Sequence, residues 1–276
     1  MIVSLIIYFS IEHPIRFRTW NGRFVNRVIN ETLESINVKV QHGAREKPFT
    51  STPILDLKNA VVNVLSPGNH YWFRVSLFCN EVDCPGAIEA FTSPMFQLST
   101  GEVLNIIKIN LNNSELISKD HGENEDIRAV IHWRVRFWPT SFIFRSQYVT
   151  WPSPARFFSS AALTLVRVLR GSNALISKGG EPLIGIINDA DFKGFVKDLV
   201  FNTEVLSMRV RRLMINLGRG RRLPAFNGVA EYVTYTDRPG LFRLLLDVAN
   251  AYGVGKNRAL GLGYVNVDVL GQHLLR

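Results

Sequence analysis

Cysteine is nearly missing from this chain. Cys79 and Cys84, spaced C-x4-C, are the only two in 276 residues. A zinc site needs further ligands, and no second cysteine pair supplies them. The pair therefore reads as structural or free thiols in a reducing compartment. Long apolar runs are missing too, and none approaches the ~20 residues that span a bilayer. The opening stretch Met1–Phe9 is apolar but short, without a basic leader or a small-residue cleavage site. Its β-branched and aromatic residues read as a buried first strand. These absences predict a cytoplasmic protein with no metal, no cofactor and no membrane partner.

Acidic residues are scarce in the second half. Residues 1–140 carry 14 Lys/Arg and 14 Asp/Glu; residues 141–276 carry 18 Lys/Arg and nine Asp/Glu, so the whole net charge of +9 lies there. The basic set is 23 Arg against nine Lys. Arginine favours bidentate phosphate recognition, so the asymmetry points to a polyanion partner held by the second half. A hydrophobic content of 46% excludes a disordered chain.

The length suits roughly two domains of ~150 residues. Ile2–Ser10 is the first predicted strand. From Arg23 to Ile36 the apolar positions form one helical stripe, with Arg23, Arg27, Asn30 and Glu34 opposite and Asn21 or Thr19 placed to cap. Strands are expected over Phe49–Leu55, Tyr71–Cys79 and Val103–Leu111, with a short helix near Ala87–Phe91. This is the β-α-β-β-α-β order of a ferredoxin-like unit. Residues 112–126 are polar and acidic and read as a linker. A second series follows: an alternating strand Ala129–Trp138, a helix from Ser153-Pro154 to Arg170, a helix Asp191–Asn202, paired strands Val205–Leu217 and Ala225–Tyr235, a helix Leu241–Tyr252 and a final strand Tyr264–Leu270. The expected fold is α+β, with two tandem ferredoxin-like domains over residues 1–125 and 126–276 and a cleft between them.

Two segments stand out chemically. Residues 253–263 read G-V-G-K-N-R-A-L-G-L-G. They fail the P-loop pattern, because Asn250 and Asn257 stand where glycine and Ser/Thr belong. They fail G-x-G-x-x-G as well, because Arg258 takes the third glycine position. Glycines let successive N–H groups face one anion, and Lys256 and Arg258 add charge. The second segment, residues 209–222, holds Arg209, Arg211, Arg212, Arg219, Arg221 and Arg222 with no acidic residue. Such a two-stranded arm suits a nucleic-acid groove. His132, Arg134, Arg136 and Trp138 share one strand face that suits single-stranded RNA, although no RNP1-type motif is present.

The glycine-rich segment before an apolar strand resembles the signature loop of the RAMP superfamily of CRISPR systems. Three more segments narrow the resemblance to the endoribonuclease that cuts precursor repeat RNA: K-P-F-T-S-T-P-I-L over 47–55, F-W-P-T-S-F over 137–142 leading to Pro152-Ser153-Pro154, and P-A-F-N-G over 224–228. The resemblance implies metal-independent scission, in which a ribose 2′-hydroxyl attacks the adjacent phosphate and leaves a cyclic phosphate and a 5′-hydroxyl. It places the family's histidine at His42 and its lysine at Lys47, and puts Asn30 where many members carry tyrosine. Arg23 and Arg27 join Lys47 as basic candidates for the chemistry. The resemblance implies RNA contacts at the six hairpin arginines and at Gly253, Gly255, Lys256, Asn257, Arg258, Gly261 and Gly263. It implies CRISPR repeat RNA as partner and allows an effector complex or a homodimer. His13, His70, His121, His132 and His273 read as structural or solvated. Two rival readings stay open: a non-catalytic repeat-RNA-binding paralogue, and a general single-stranded RNA-binding module.

Overall fold

The computed structural model describes residues 2–38, 47–114, 128–169 and 190–275, and its fold class is α+β. His42 lies outside the described residues, as does most of the expected linker. The first half runs β1 (Ile2–Ser10), β2 (Ile15–Arg16), α1 (Gly22–Ser35), β3 (Phe49–Ser51), β4 (Leu55–Asp56), β5 (Val64–Leu65), β6 (Tyr71–Leu77), α2 (Cys84–Phe91), β7 (Met95–Gln97) and β8 (Val103–Ser114). Its main sheet has the order β3-β6-β1-β8-β7, antiparallel throughout. Alternation along β1 buries Val3, Leu5, Ile7 and Phe9 against Val25, Val28, Ile29 and Leu33 of α1.

The second half runs β9 (Arg128–Thr140), β10 (Phe142–Phe144), β11 (Gln147–Val149), α3 (Pro154–Leu169), α4 (Ala190–Phe201), β12 (Thr203–Gly218), β13 (Arg221–Thr236), α5 (Pro239–Tyr252) and β14 (Val265–Leu275). Its four-stranded sheet has the order β12-β13-β9-β14. Trp133 of β9 is fully buried, stacks on Tyr232 at 4.4 Å and donates its indole N–H to Thr234 Oγ1 at 2.9 Å. Phe157 and Phe158 of α3 and Phe242 of α5 close around the same ring.

Three expectations need correction. Phe49–Leu55 is not one strand: Thr52 still pairs with Arg74, but Pro53 has no N–H to continue the ladder. Asn21 does not cap α1 with its side chain; that amide donates to the carbonyls of Ile54 and Val62 and so ties the following loops to the helix. Cys79 and Cys84 are joined in a disulfide and are not free thiols. The strands β12, β13 and β14 also run farther than apolar patterning predicts, because their ends carry exposed polar and apolar residues alike.

The glycine-rich segment is where the two halves meet. Val254 N–H donates to Gly263 O at 2.8 Å, and Gly263 N–H donates to Pro139 O at 2.8 Å. Toward the first half, Trp20 Nε1 donates to Leu260 O at 2.6 Å, Asn26 Nδ2 to Ala259 O at 2.9 Å and Ser51 Oγ to Ala259 O at 3.2 Å. Nearby, Arg74 and Ser76 of β6 donate to the carbonyls of Asn250 and Ala251 near the end of α5. Tyr252 stacks on Phe78 at 4.6 Å and donates to Leu77 O; burial pushes its hydroxyl pKa up, so it stays a donor. A Cβ on Gly263 would lie 1.8 Å from Val254 O, and φ there is +77°. Gly263→Ala is therefore expected to cost ~2 kcal/mol or more through backbone strain and a forced shift. Thermal unfolding of the variant should show a clearly lowered midpoint; an unchanged midpoint would refute the tight closure.

Candidate nucleic-acid interface

Residues 15–23 lead into α1 and set up a basic wall. Phe17 turns inward against Phe24, at 5.4 Å between ring centres, while Arg16 and Arg18 stay exposed on either side of it. Arg23 and Arg27 project from the polar face of α1. With Asn30, Glu31, Glu34 and Glu102 these four arginines line a cleft of about 810 Å³. Arg27 pairs with Glu102 at 3.3 Å, donates to Thr100 Oγ1 and lies over the Phe24 ring. Burial raises the Glu102 carboxyl pKa, but hydrogen bonds from Thr100 and its own backbone, together with the Arg27 guanidinium, outweigh it and hold it below the usual range. Asn30, at the family's tyrosine position, donates to Asn26 Oδ1 at 3.0 Å and offers no proton-transfer group.

The arginine-rich hairpin docks on this wall. Trp20 N–H donates to Asn216 O at 2.8 Å, Arg23 Nη1 to Leu217 O at 2.5 Å and Asn216 Nδ2 to Arg18 O at 3.3 Å. Gly218, at φ +79°, turns the strand where a Cβ would sit 2.5 Å from Arg23 Nη1. The six arginines 209, 211, 212, 219, 221 and 222 are all exposed, and among the described residues none of them is in an ion pair. Arg209 and Arg211 share one face of β12, as their alternation requires. The hairpin tip and its arginines thus dock beside the arginines of the α1 cleft.

The glycine-rich segment has a different place. Its N–H groups are spent inside the protein: Gly255 donates to Ser160 Oγ at 2.8 Å, Lys256 to Ser141 O at 2.9 Å and Gly261 to Arg258 O at 3.1 Å. Arg258 is half-buried and bonds Thr164 Oγ1 at 2.7 Å and Gly253 O at 3.3 Å. Lys256 and Asn257 remain exposed at the surface of the segment, and Asn257 sits in the left-handed region at φ +58°. The glycines are close-approach positions in a folded knot, whereas the sequence suggested a cradle of free N–H groups.

Lys47 stands apart from the α1 cleft and does not line it. Its carbonyl accepts from Arg167 Nη2 at 2.7 Å, and Arg167 also holds Glu81 at 2.6 Å and covers the Phe78 ring at 3.9 Å. Burial lowers the Lys47 ammonium pKa. On β9, Arg134 pairs with Glu231 at 2.7 Å and Arg136 lies over Trp138, which is itself buried against Tyr264 at 4.4 Å. Arg16 and Arg18 escaped the sequence reading, although their spacing around the inward Phe17 is a short strand signal. Arg74, half-buried beneath Tyr264 at 4.7 Å, had no local signal at all.

Residues 135–265 match the model of the family described as CRISPR-associated endoribonuclease Cas6. Among curated protein sequences nothing matches the chain. Among solved structures, the product complex of Cas6 TTHB231 is similar over 97% of this chain and 100% of its own, with a TM-score of 0.66 at 16% identity. The Thermus thermophilus Cas6 TTHB231 on its own gives a TM-score of 0.61 at 16% identity, over 97% of this chain and 98% of its own. The product complex of Cas6 TTHA0078 gives 0.63 at 16% identity, over 97% and 100%. The chain thus matches the Cas6 family model over much of its second half, and its fold is similar to that of solved Cas6 structures over nearly its whole length.

Proposed function

We propose that this protein binds CRISPR repeat RNA and cleaves precursor crRNA as a metal-independent endoribonuclease. The observation that carries the reading is the docking of the arginine hairpin on the α1 wall, which brings its exposed arginines beside Arg16, Arg18, Arg23 and Arg27 on a chain of Cas6 fold. Exposed arginines this close repel one another unless a polyanion lies across them. Two ferredoxin-like domains, over 1–125 and 126–276, support the surface in this reading. The strand orders β3-β6-β1-β8 and β12-β13-β9-β14 favour that division, with each sheet covered by helices on one face.

The chemistry follows from the substrate. A base removes the 2′-hydroxyl proton while O2′ bonds to phosphorus. The P–O5′ bond breaks, and an acid delivers a proton to O5′. The products are a cyclic 2′,3′-phosphate and a 5′-hydroxyl. Imidazole can serve as acid or base near neutral pH, and His42 is assigned that work. Lys47, its proton loosened by burial, is the second candidate, and Arg23 and Arg27 supply positive charge to the pentacoordinate phosphorus. Asn30 favours a second reading, a repeat-RNA-binding paralogue or effector-complex subunit without turnover, because it replaces a titratable group by an amide.

Incubating the protein with its repeat RNA in EDTA should give cleavage with cyclic-phosphate and 5′-hydroxyl ends. Tight binding without cleavage would select the second reading. His42→Ala should slow cleavage by at least about tenfold with RNA affinity near wild type; an equally fast variant would hand the chemistry to Arg23, Arg27 and Lys47. Arg221→Ala with Arg222→Ala should weaken binding and lower the salt slope by about 0.7–0.9 for each phosphate that is no longer neutralised. Unchanged binding would remove the hairpin from the RNA path.

A further inference from the structure

We propose that the β10–β11 hairpin is a stacking site for unpaired nucleotides of an RNA whose paired part lies on the arginine-rich hairpin. The proposal rests on the RNA-binding reading above and adds a site to it. Phe144, Tyr148 and Trp151 fall within eight residues and are 46%, 45% and 44% exposed. Large rings are normally placed to bury their area, so these half-open rings, Phe144 on one face of the ribbon, Tyr148 on the other and Trp151 just beyond it, leave surface for stacking. Two guanidiniums attend Phe144: Arg156 of α3 lies 4.5 Å from its ring centre and Arg145 lies 5.4 Å from it.

The turn is built to present that charge. Arg145 and Ser146 both take positive φ, +45° and +66°. A two-residue hairpin of this kind is normally made with asparagine and glycine. An arginine there costs backbone energy, so its side chain at the tip is the feature the strain maintains. The ribbon is otherwise firmly seated: Phe142 is buried against Phe226, and Ser141 Oγ donates to Pro224 O at 2.8 Å.

Electrostatics select the occupant. No acidic residue stands between Asp126 and Glu181, so the hairpin and the helix behind it offer only positive charge. Aromatic faces interleaved with arginine bind single strands through base stacking and backbone attraction, without reading sequence. The position also fits. Pro224, which anchors the ribbon, lies two residues beyond Arg222, and exposed Lys256 bonds through its N–H to Ser141 O on the other side. A strand leaving the arginine hairpin along β13 therefore meets these rings next.

The test uses the intact protein and two fluorescent probes: a short RNA stem-loop, and the same stem-loop with a single-stranded oligouridine tail at one end or the other. Wild-type protein should bind the tailed RNA roughly tenfold more tightly or better. Tyr148→Ala with Trp151→Ala should abolish that gain and leave the bare stem-loop affinity unchanged, whereas Tyr148→Phe with Trp151→Phe should keep it. Ultraviolet crosslinking should join the tail to residues 142–151. Arg145→Glu leaves every ring in place and should reduce the gain too, which keeps the test open if the double alanine variant fails to fold. A tail gain that survives these changes, or wild-type protein that binds both RNAs equally, overturns the site while leaving the RNA-binding reading intact. Wild-type protein with no affinity for either RNA overturns that reading as well, and the face would then suit a protein segment instead.

Discussion

The structure turns on one knot of main chain, the fold-back of residues 253–263. Elements from both halves bond to it: β9 and the Ser141 turn through Pro139 and Ser141, α3 through Ser160, β3 through Ser51, and α1 with its approach through Trp20 and Asn26. Backbone atoms approach Gly253, Gly255, Gly261 and Gly263 so closely that no room is left for Cβ atoms. This explains the glycines better than anion binding does. It also explains the relative placing of the two sheets. Tyr252 and Arg74 add side-chain contacts beside the knot, but they act on a geometry it already fixes.

Fixing that geometry has an electrostatic consequence. The arginine hairpin is long and lies at the edge of its sheet, so on its own it could swing. Its tip is instead held to Trp20 and Arg23. Charges that would otherwise move apart are kept side by side with Arg16, Arg18 and Arg27. A preorganised field of this kind is what a polyanion would find without reorganising the protein, and it strengthens attraction where charge develops.

Much of this was legible from residues. β-branched and aromatic content identified β1, period-2 alternation identified β9, and the 3.6 stripe of Phe24, Val25, Val28, Ile29 and Leu33 identified α1, because each buries residues in a continuous core. The arginine run identified an exposed hairpin. What the sequence could not separate was arginine that faces solvent from arginine that holds the fold. Arg167, Arg74 and Arg258 have the same composition signal as Arg221, yet each is committed to carbonyls, hydroxyls or a ring contributed by distant segments. Burial and long-range partners decide that difference, and neither has a local period. Asn21 is a similar case: its cap position was correct, but its side chain found better partners in Ile54 and Val62.

The charge asymmetry of the chain therefore reads differently in three dimensions. The second half carries the whole net charge, which suggests that it alone holds the polyanion. Yet Arg16, Arg18, Arg23 and Arg27 of the neutral half line the cleft beside which the hairpin tip docks, together with Glu31, Glu34 and Glu102. Net charge counts residues; the field depends on where they are. Glu102 is the one acidic residue seen paired with the wall among the described residues, through Arg27 at its far end. The hairpin tip docks beside these arginines through Trp20 and Arg23, so a polyanion bound there would meet residues of both halves.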